Sequence, residues 1–148
     1  FSMILEKEKP LSKMVTFSIL KERKLKFKNI RTSGKSMRVF SMLKTPTGLT
    51  PNILARFALC MSLKEKSIPN PDEFNQMGSE LSPAVLFGEH EQLYHTLMVN
   101  RLDNDKLDVE KYLNTMARAH INRGVIALHP RINDLSDFYE LVKEERNV

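Results

Sequence analysis

Cysteine is almost absent from this sequence, since Cys60 is the single one among 148 residues. One thiol cannot form an intramolecular disulfide, and it cannot build a cysteine-based zinc cluster within one chain. Cys60 stands in the apolar run 57–61, where a free cysteine behaves as a small hydrophobic residue. We interpret Cys60 as a packing residue, with redox or sulfur-transfer chemistry as the alternative.

Long hydrophobic runs are absent as well, and none approaches the roughly 18 residues of a membrane-spanning helix. The N-terminus also lacks the apolar stretch and small-residue cleavage site of a signal peptide, so we expect a cytoplasmic protein. Phe1 stands where an initiator methionine would be expected, and a cloning remnant is one interpretation of the first residues. We predict that residues 1–30 are a variable N-terminal extension and that residues 31–148 form a single helical domain.

Two segments look like ligand-binding motifs but have the wrong spacing. Residues 33–36 (Ser-Gly-Lys-Ser) match the end of a phosphate-binding loop, yet Asn29 stands where that motif needs its first glycine. His90 and His95 lie five residues apart, which places them about 140° apart on a helix, whereas zinc-protease histidines share a face. Neither segment therefore predicts its ligand.

The acids at 103, 105 and 108 suggest a calcium loop, but Asp108 and Asn114 occupy the positions that need glycine and glutamate. Helix capping explains these acids better. No Ser/His/Asp or Cys/His set has supporting local context, so we expect a non-enzymatic protein with no cofactor and no metal. A nuclease-like metal site built from carboxylates that converge in space stays the alternative.

Charge is divided very unevenly along the chain. Residues 1–66 hold fifteen Lys/Arg and four Asp/Glu, a balance of +11, whereas residues 67–148 hold eight and fourteen, a balance of −6. Such asymmetry within one domain indicates a basic face that binds a polyanion. A solvated basic tail is the alternative interpretation.

The basic residues concentrate between positions 21 and 44. On a strand, the lysines at 24, 26 and 28 would project from one side about 6–7 Å apart, which is close to the phosphate spacing along DNA. Lysines without aromatic or amide neighbours suggest binding to the DNA backbone rather than recognition of the bases. The predicted DNA-binding residues are Lys24, Lys26, Lys28, Arg31, Lys35, Arg38 and Lys44. The first turn of the helix that starts after Thr50 is a further phosphate anchor.

Hydrophobic periodicity and capping residues predict a mainly α fold. In chain order, the predicted elements are a strand near 24–30, a helix capped by Ser33 or Ser36 and ended by Pro46 and Gly48, a helix starting at Thr50-Pro51, a loop over 64–83, a helix over 89–102, a helix from Asp108 to 128, and a last helix after Asp134 or Ser136. This is a ribbon-helix-helix-like core, one short strand plus two helices, followed by three or four further helices.

In ribbon-helix-helix proteins the single strand pairs with its copy from a second chain. An unpaired strand leaves backbone groups without hydrogen bonds, so we expect a homo-oligomer. A basic two-helix hairpin without that function is the alternative.

Three segments in order resemble the DndE family: residues 47–63 (TGLTPNILARFALCMSL), Phe87-Gly88-Glu89 followed by Leu93-Tyr94, and residues 118–125 (RAHINRGV). The resemblance covers about residues 30–140 and does not extend to the first 30. It implies a ribbon-helix-helix-like fold and a component of the bacterial system that replaces a non-bridging phosphate oxygen of DNA with sulfur. A cysteine desulfurase, an iron–sulfur subunit and an ATPase are the other subunits implied.

The same resemblance implies a homotetramer that binds duplex DNA, nicked DNA preferred, and holds it for the sulfur-inserting subunits. Lys35, Arg38 and Lys44 fall in the matching region and are the first candidates for DNA contacts. The alternatives are a metal-dependent DNA nickase and a protein–protein scaffold that docks through its acidic half.

Overall fold

A computed structural model describes residues 26–146 of the chain. The strands are β1 (Ile30–Arg31) and β2 (Glu80–Leu81), and the helices are α1 (Gly34–Thr47), α2 (Pro51–Lys64), α3 (Pro83–Phe87), α4 (Glu91–Asn104), α5 (Val109–Leu128) and α6 (Leu135–Arg146). Short 3-10 turns cover Pro71–Glu73, Gly88–His90 and His129–Arg131. The predicted mainly α fold, with strand, helix, glycine turn and helix in that order, is confirmed.

Three of the predicted helix starts are confirmed by side chains that cap them. The hydroxyl of Ser33 accepts a hydrogen bond from the amide of Ser36 at 3.1 Å, and Asp108 accepts one from the amide of Glu110 at 3.3 Å. Asp134 rather than Ser136 caps α6, because its carboxylate accepts from the Asp137 amide. Such caps satisfy amides that have no partner within the helix.

Thr50 stands at the N-cap position of α2 as predicted, with Pro51 after it, but its side chain caps no amide. Upstream, α1 continues through Pro46 and ends at Gly48, whose φ of 70° is left-handed and whose amide donates to the Lys44 carbonyl. A glycine adopts this conformation without the steric cost that a Cβ would add. The turn that joins α1 to α2 is therefore fixed locally.

Helix α2 lies at the centre of the fold and packs most extensively against α5. Leu54, Ala55, Ala58 and Leu59 on its inner face are fully buried. Gly124 of α5 faces them so closely that a Cβ there would stand 2.0 Å from the carbonyl oxygen of Ala58. The two helix backbones thus approach more closely than ordinary side chains would allow.

Part of the region predicted as loop 64–83 is ordered by pairing that local sequence does not indicate. β1 pairs antiparallel with β2, with Ile30 opposite Leu81 and Arg31 opposite Glu80. Helix α3 follows directly and was not predicted. The fourth helix begins at Glu91 rather than Glu89, since Gly88 and the next two residues form a 3-10 turn.

The predicted strand over 24–30 is partly wrong. Residues 26–29 carry no regular secondary structure, and the strand is limited to Ile30–Arg31. The polar/apolar alternation does hold in the described part, since Lys26 and Lys28 are exposed while Phe27 is buried. Lys24 and Leu25 lie outside the described residues.

The outer edge of β1 is covered by three side chains of α5, which we call the edge ladder: Asn114, Arg118 and Asn122. Asn114 accepts from the amide of Lys28 at 2.7 Å, Arg118 donates to the carbonyl of Arg31 at 2.8 Å, and Asn122 accepts from the amide of Ser33 at 3.0 Å. The ladder residues lie four apart and so share one face of the helix.

With β2 on one side and the edge ladder on the other, β1 lacks the free edge that a second chain would pair with. The oligomer was expected because the strand was thought to be unpaired, and that premise is wrong. Any assembly of several copies has to use another surface.

Arg118 should be the strongest member of the edge ladder, because its guanidinium also donates to the carbonyls of Phe74 and Asn75. Replacing it with Ala leaves three partly buried carbonyls without this donor, and we expect a loss of about 1–3 kcal/mol of unfolding free energy. Urea denaturation followed by circular dichroism measures this. Lys111→Ala, an exposed change on the same helix, is the control and should stay within about 0.5 kcal/mol of wild type. An Arg118→Ala variant as stable as that control would contradict the structural role of the ladder.

Candidate nucleic-acid interface

The seven predicted DNA-binding residues fall into distinct groups. Lys24 lies outside the described residues. Lys26 and Lys28 are exposed on either side of Phe27, whose ring packs 4.7 Å from the ring of Phe87, measured between centroids. The buried aromatic anchors this segment, so both lysine side chains face solvent.

Arg31 is half-exposed and already has partners within the chain. Its guanidinium donates to the carbonyl of Gly78 at 3.1 Å and lies 3.4 Å from the carboxylate of Glu80. Glu80 offsets part of its charge, so Arg31 offers less to an anion than its exposure suggests.

Helix α1 carries the other three predicted residues, and all are exposed. Its buried side is formed by Val39, Phe40 and Leu43. At about 100° per residue, Lys35 lies at one margin of the exposed side and Lys44 lies at the other, about 180° around the helix. Arg38 lies about 60° from Lys35, towards the centre of the exposed side. Sequence alone did not separate these two margins.

The guanidinium of Arg38 folds back over the start of its own helix. One of its nitrogens lies 3.6 Å from the point where a Cβ on Gly34 would stand, and the Cβ of Met77 lies 3.8 Å from the same point. Arg31 reaches the same loop through Gly78. Arg31 and Arg38 therefore lie beside residues 77–78, and Lys35 is exposed in the first turn of the same helix; we call these three residues the loop-side cations.

The N-termini of α1 and α2 differ in what satisfies their amides. In α1 the amide of Gly34 donates to the Asn75 side chain at 2.9 Å, and the amide of Ser36 donates to Ser33. In α2 the side chain of the N-cap residue, Thr50, caps no amide. The start of α2, which follows Lys44 across the Gly48 turn, thus combines a positive helix dipole with a nearby lysine.

Several arginines that the sequence analysis left without a role are bound to backbone carbonyls. Arg101 donates to the carbonyls of Leu63 and Ser67 at 2.9 and 2.7 Å, and Arg123 donates to the carbonyl of Ser62 at 2.8 Å. These contacts cap the C-terminus of α2. A signal was present in the sequence, because a charged side chain within an apolar helical run needs buried partners.

His120 is completely buried beside these arginines. Its Nδ1 lies 2.8 Å from the hydroxyl of Ser62, which in turn accepts a hydrogen bond from Nε of Arg123. Burial, with added repulsion from Arg101 and Arg123, lowers the pKa of His120 to about 3. His120 is therefore neutral near pH 7, and the Ser62 hydroxyl donates to its Nδ1.

Cys60 is half-buried and lies close to Tyr94. Burial raises the pKa of the Tyr94 hydroxyl, with further contributions from Cys60, while Arg56 opposes the shift. Within residues 26–146, no three His, Cys, Asp or Glu side chains come close enough together to hold a metal ion. In the same part of the chain, no helix has the length and hydrophobicity of a membrane span.

The family model described as DNA sulphur modification protein DndE matches residues 29–135. The chain belongs to the DndE family. The resemblance inferred from residues 47–63, 87–94 and 118–125 is thereby confirmed. The DndE match includes Arg31, Lys35, Arg38 and Lys44, and it begins after Lys24, Lys26 and Lys28.

Two solved DndE structures are similar to this chain. The crystal structure of DndE from Escherichia coli B7A, described as involved in DNA phosphorothioation modification, has a TM-score of 0.57 and 26% sequence identity, covering 68% of this chain and 95% of that one. The G21/24K mutant of DndE has a TM-score of 0.55 and 24% identity, covers 68% of this chain and 96% of its own, and shows the shared fold. A comparison with curated proteins gave no match.

Proposed function

We propose that this DndE-family protein is a non-enzymatic, cytoplasmic, DNA-binding component of DNA phosphorothioation. It holds duplex DNA by its backbone, prefers nicked DNA, and presents it as a homotetramer to the sulfur-inserting subunits. The observation that carries the proposal is the arrangement of cations on α1, a helix that lies within the DndE match. No cofactor is required for this role.

The exposed side of α1 has Ser41, Thr45 and Arg38 near its centre, with the guanidinium of Arg38 turned back over Gly34, and a lysine at each margin. Ser41 and Thr45 lie at the centre, while Lys35 and Lys44 lie about 100° and 80° away on opposite sides. A helix about 10–12 Å across fits the major groove of DNA, which is about 12 Å wide. With α1 in the groove, its two margins would face phosphates of both strands.

The charges at these margins suit phosphates better than bases. Small central side chains let the helix approach closely but offer few donors for base readout, so binding should depend on the DNA backbone rather than on sequence. The start of α2, which follows Lys44, adds on the same margin amides that the Thr50 side chain does not cap.

The experiment is a fluorescence anisotropy titration of nicked and intact duplexes over a series of salt concentrations. The logarithm of affinity should fall by roughly 0.9 per log unit of salt for each phosphate neutralised. The triple variant Lys35→Ala, Arg38→Ala and Lys44→Ala should bind roughly 10- to 100-fold more weakly, with a shallower slope, on unrelated sequences.

A matched triple variant, Lys106→Ala, Lys111→Ala and Lys143→Ala, removes the same charge from exposed lysines elsewhere in the described chain and should bind nearly as wild type. Equal losses in both triple variants would contradict a specific role for α1. Relaxation of supercoiled plasmid by the pure protein with magnesium would overturn the non-enzymatic part in favour of a nickase. A molecular mass in solution equal to that of one chain would overturn the proposed tetramer.

A further inference from the structure

Met77 is a large apolar side chain that projects into solvent. It is 77% exposed, the highest value among the exposed large hydrophobic residues that the structure describes, and Met42 on α1 is 56% exposed. Exposed single hydrophobic residues are ordinary in proteins. What distinguishes Met77 is its surroundings.

The backbone on both sides of Met77 is held by hydrogen bonds. Its own amide donates to the side chain of Asn75 at 3.0 Å. The next residue, Gly78, is buried, donates to the carbonyl of Thr32 at 2.9 Å, and has space for no Cβ because the carbonyl of Ser33 would lie 2.3 Å away. The backbone that carries Met77 is therefore already ordered, so binding costs the rotamer entropy of this side chain but no ordering of the loop.

Two of the loop-side cations, Arg31 and Arg38, lie beside this apolar tip. Arg38 approaches Met77 across Gly34, and Arg31 binds the carbonyl of the adjacent Gly78. Met42 lies one turn beyond Arg38, on the same side of α1. An apolar tip beside Arg38 and the partly neutralised Arg31 is complementary to a DNA step whose bases are exposed between two phosphates.

We propose that Met77 is the residue that discriminates nicked from intact DNA by contacting the base faces at the break. This rests on the DNA-binding role proposed above. Apolar side chains that insert at a base step have to unstack it, which costs a few kcal/mol in an intact duplex. A nick removes one backbone link at that step, so the bases part more easily and the same contact becomes favourable.

The test compares Met77→Ala with wild type on nicked and intact duplexes of one sequence. The ratio of the two affinities should fall roughly five- to tenfold, while affinity for intact duplex and the salt slope stay unchanged. Met77→Leu, which keeps an apolar tip, should restore the ratio. Ile68→Ala removes another exposed hydrophobic residue from the same connection between α2 and β2 and should leave the ratio as in wild type.

A 2-aminopurine base beside the nick gives a second measurement. Wild type should raise its fluorescence by unstacking it, and Met77→Ala should not. If Met77→Ala keeps the full preference for nicked DNA and the same fluorescence change, the base contact is overturned while backbone binding stands. If wild type binds neither duplex, the DNA-binding proposal itself fails.

Discussion

Replacing Gly124 with Ala should unfold or severely destabilise the protein. A Cβ at this position would lie 2.0 Å from the carbonyl oxygen and 2.8 Å from the Cα of Ala58. These are backbone atoms of the central helix α2, so no side-chain rotation can relieve the overlap. Helices α2 and α5 would have to separate, and Leu54, Leu59 and Ile121 at their interface would lose packing. We expect a loss of about 3–5 kcal/mol of unfolding free energy.

Urea denaturation measures this loss, and Gly34→Ala provides a matched control. A Cβ on Gly34 would meet its nearest neighbour, a nitrogen of Arg38, at 3.6 Å, which is ordinary van der Waals contact. Alanine also favours helix more than glycine does, so this variant should be as stable as wild type or slightly more so. A Gly124→Ala variant within about 1 kcal/mol of wild type would show that the two helices can separate freely.

The elements predicted correctly from the sequence are those determined by neighbouring residues. Ser33, Asp108 and Asp134 cap helices through amides two or three residues away, and Gly48 ends α1 through its own backbone conformation. Such signals operate within one turn of helix, so a single sequence contains them.

The elements that were missed depend on residues far away in the chain. β2 has two residues and exists because Glu80 and Leu81 pair with β1, about fifty positions earlier. A segment that short has no periodicity to detect. The edge ladder is equally non-local, since Arg118 binds a carbonyl 87 residues away. It also removed the reason for expecting an oligomer, although every ladder residue was visible in the sequence.

The sequence predicted which cations are exposed in the candidate site but not how they are arranged. The cations of residues 26–44 are exposed, as a basic face requires, yet Arg31 is paired with Glu80 and Lys44 stands apart from the loop-side cations. Charge counting cannot distinguish a cation that faces solvent from one that caps a helix, as Arg101 and Arg123 do. Only the fold decides which positive charges are available to DNA.

The burial of His120, with added repulsion from Arg101 and Arg123, makes the fold sensitive to acid. In the unfolded chain this imidazole takes up a proton near its ordinary pKa of 6.5, whereas in the folded protein its pKa is lowered to about 3. Between these values the unfolded state binds more protons, so stability falls as pH falls. The slope is about 1.4 kcal/mol per pH unit, which amounts to about 3 kcal/mol between pH 6.5 and pH 4. Above pH 7 His120 should contribute no pH dependence.

Urea denaturation of wild type and His120→Gln at several pH values isolates this contribution. Carboxylates titrate in both proteins, so their effect cancels in the difference between the two unfolding free energies. Glutamine can accept a hydrogen bond from the Ser62 hydroxyl but carries no titratable proton. Below pH 6, the unfolding free energy of the variant should therefore fall less steeply with pH than that of wild type, by about 1.4 kcal/mol per pH unit. Parallel curves from pH 7 to pH 4 would mean that His120 can be protonated in the folded protein. The network of Ser62, Arg101 and Arg123 would then have to open without unfolding the helices that it joins.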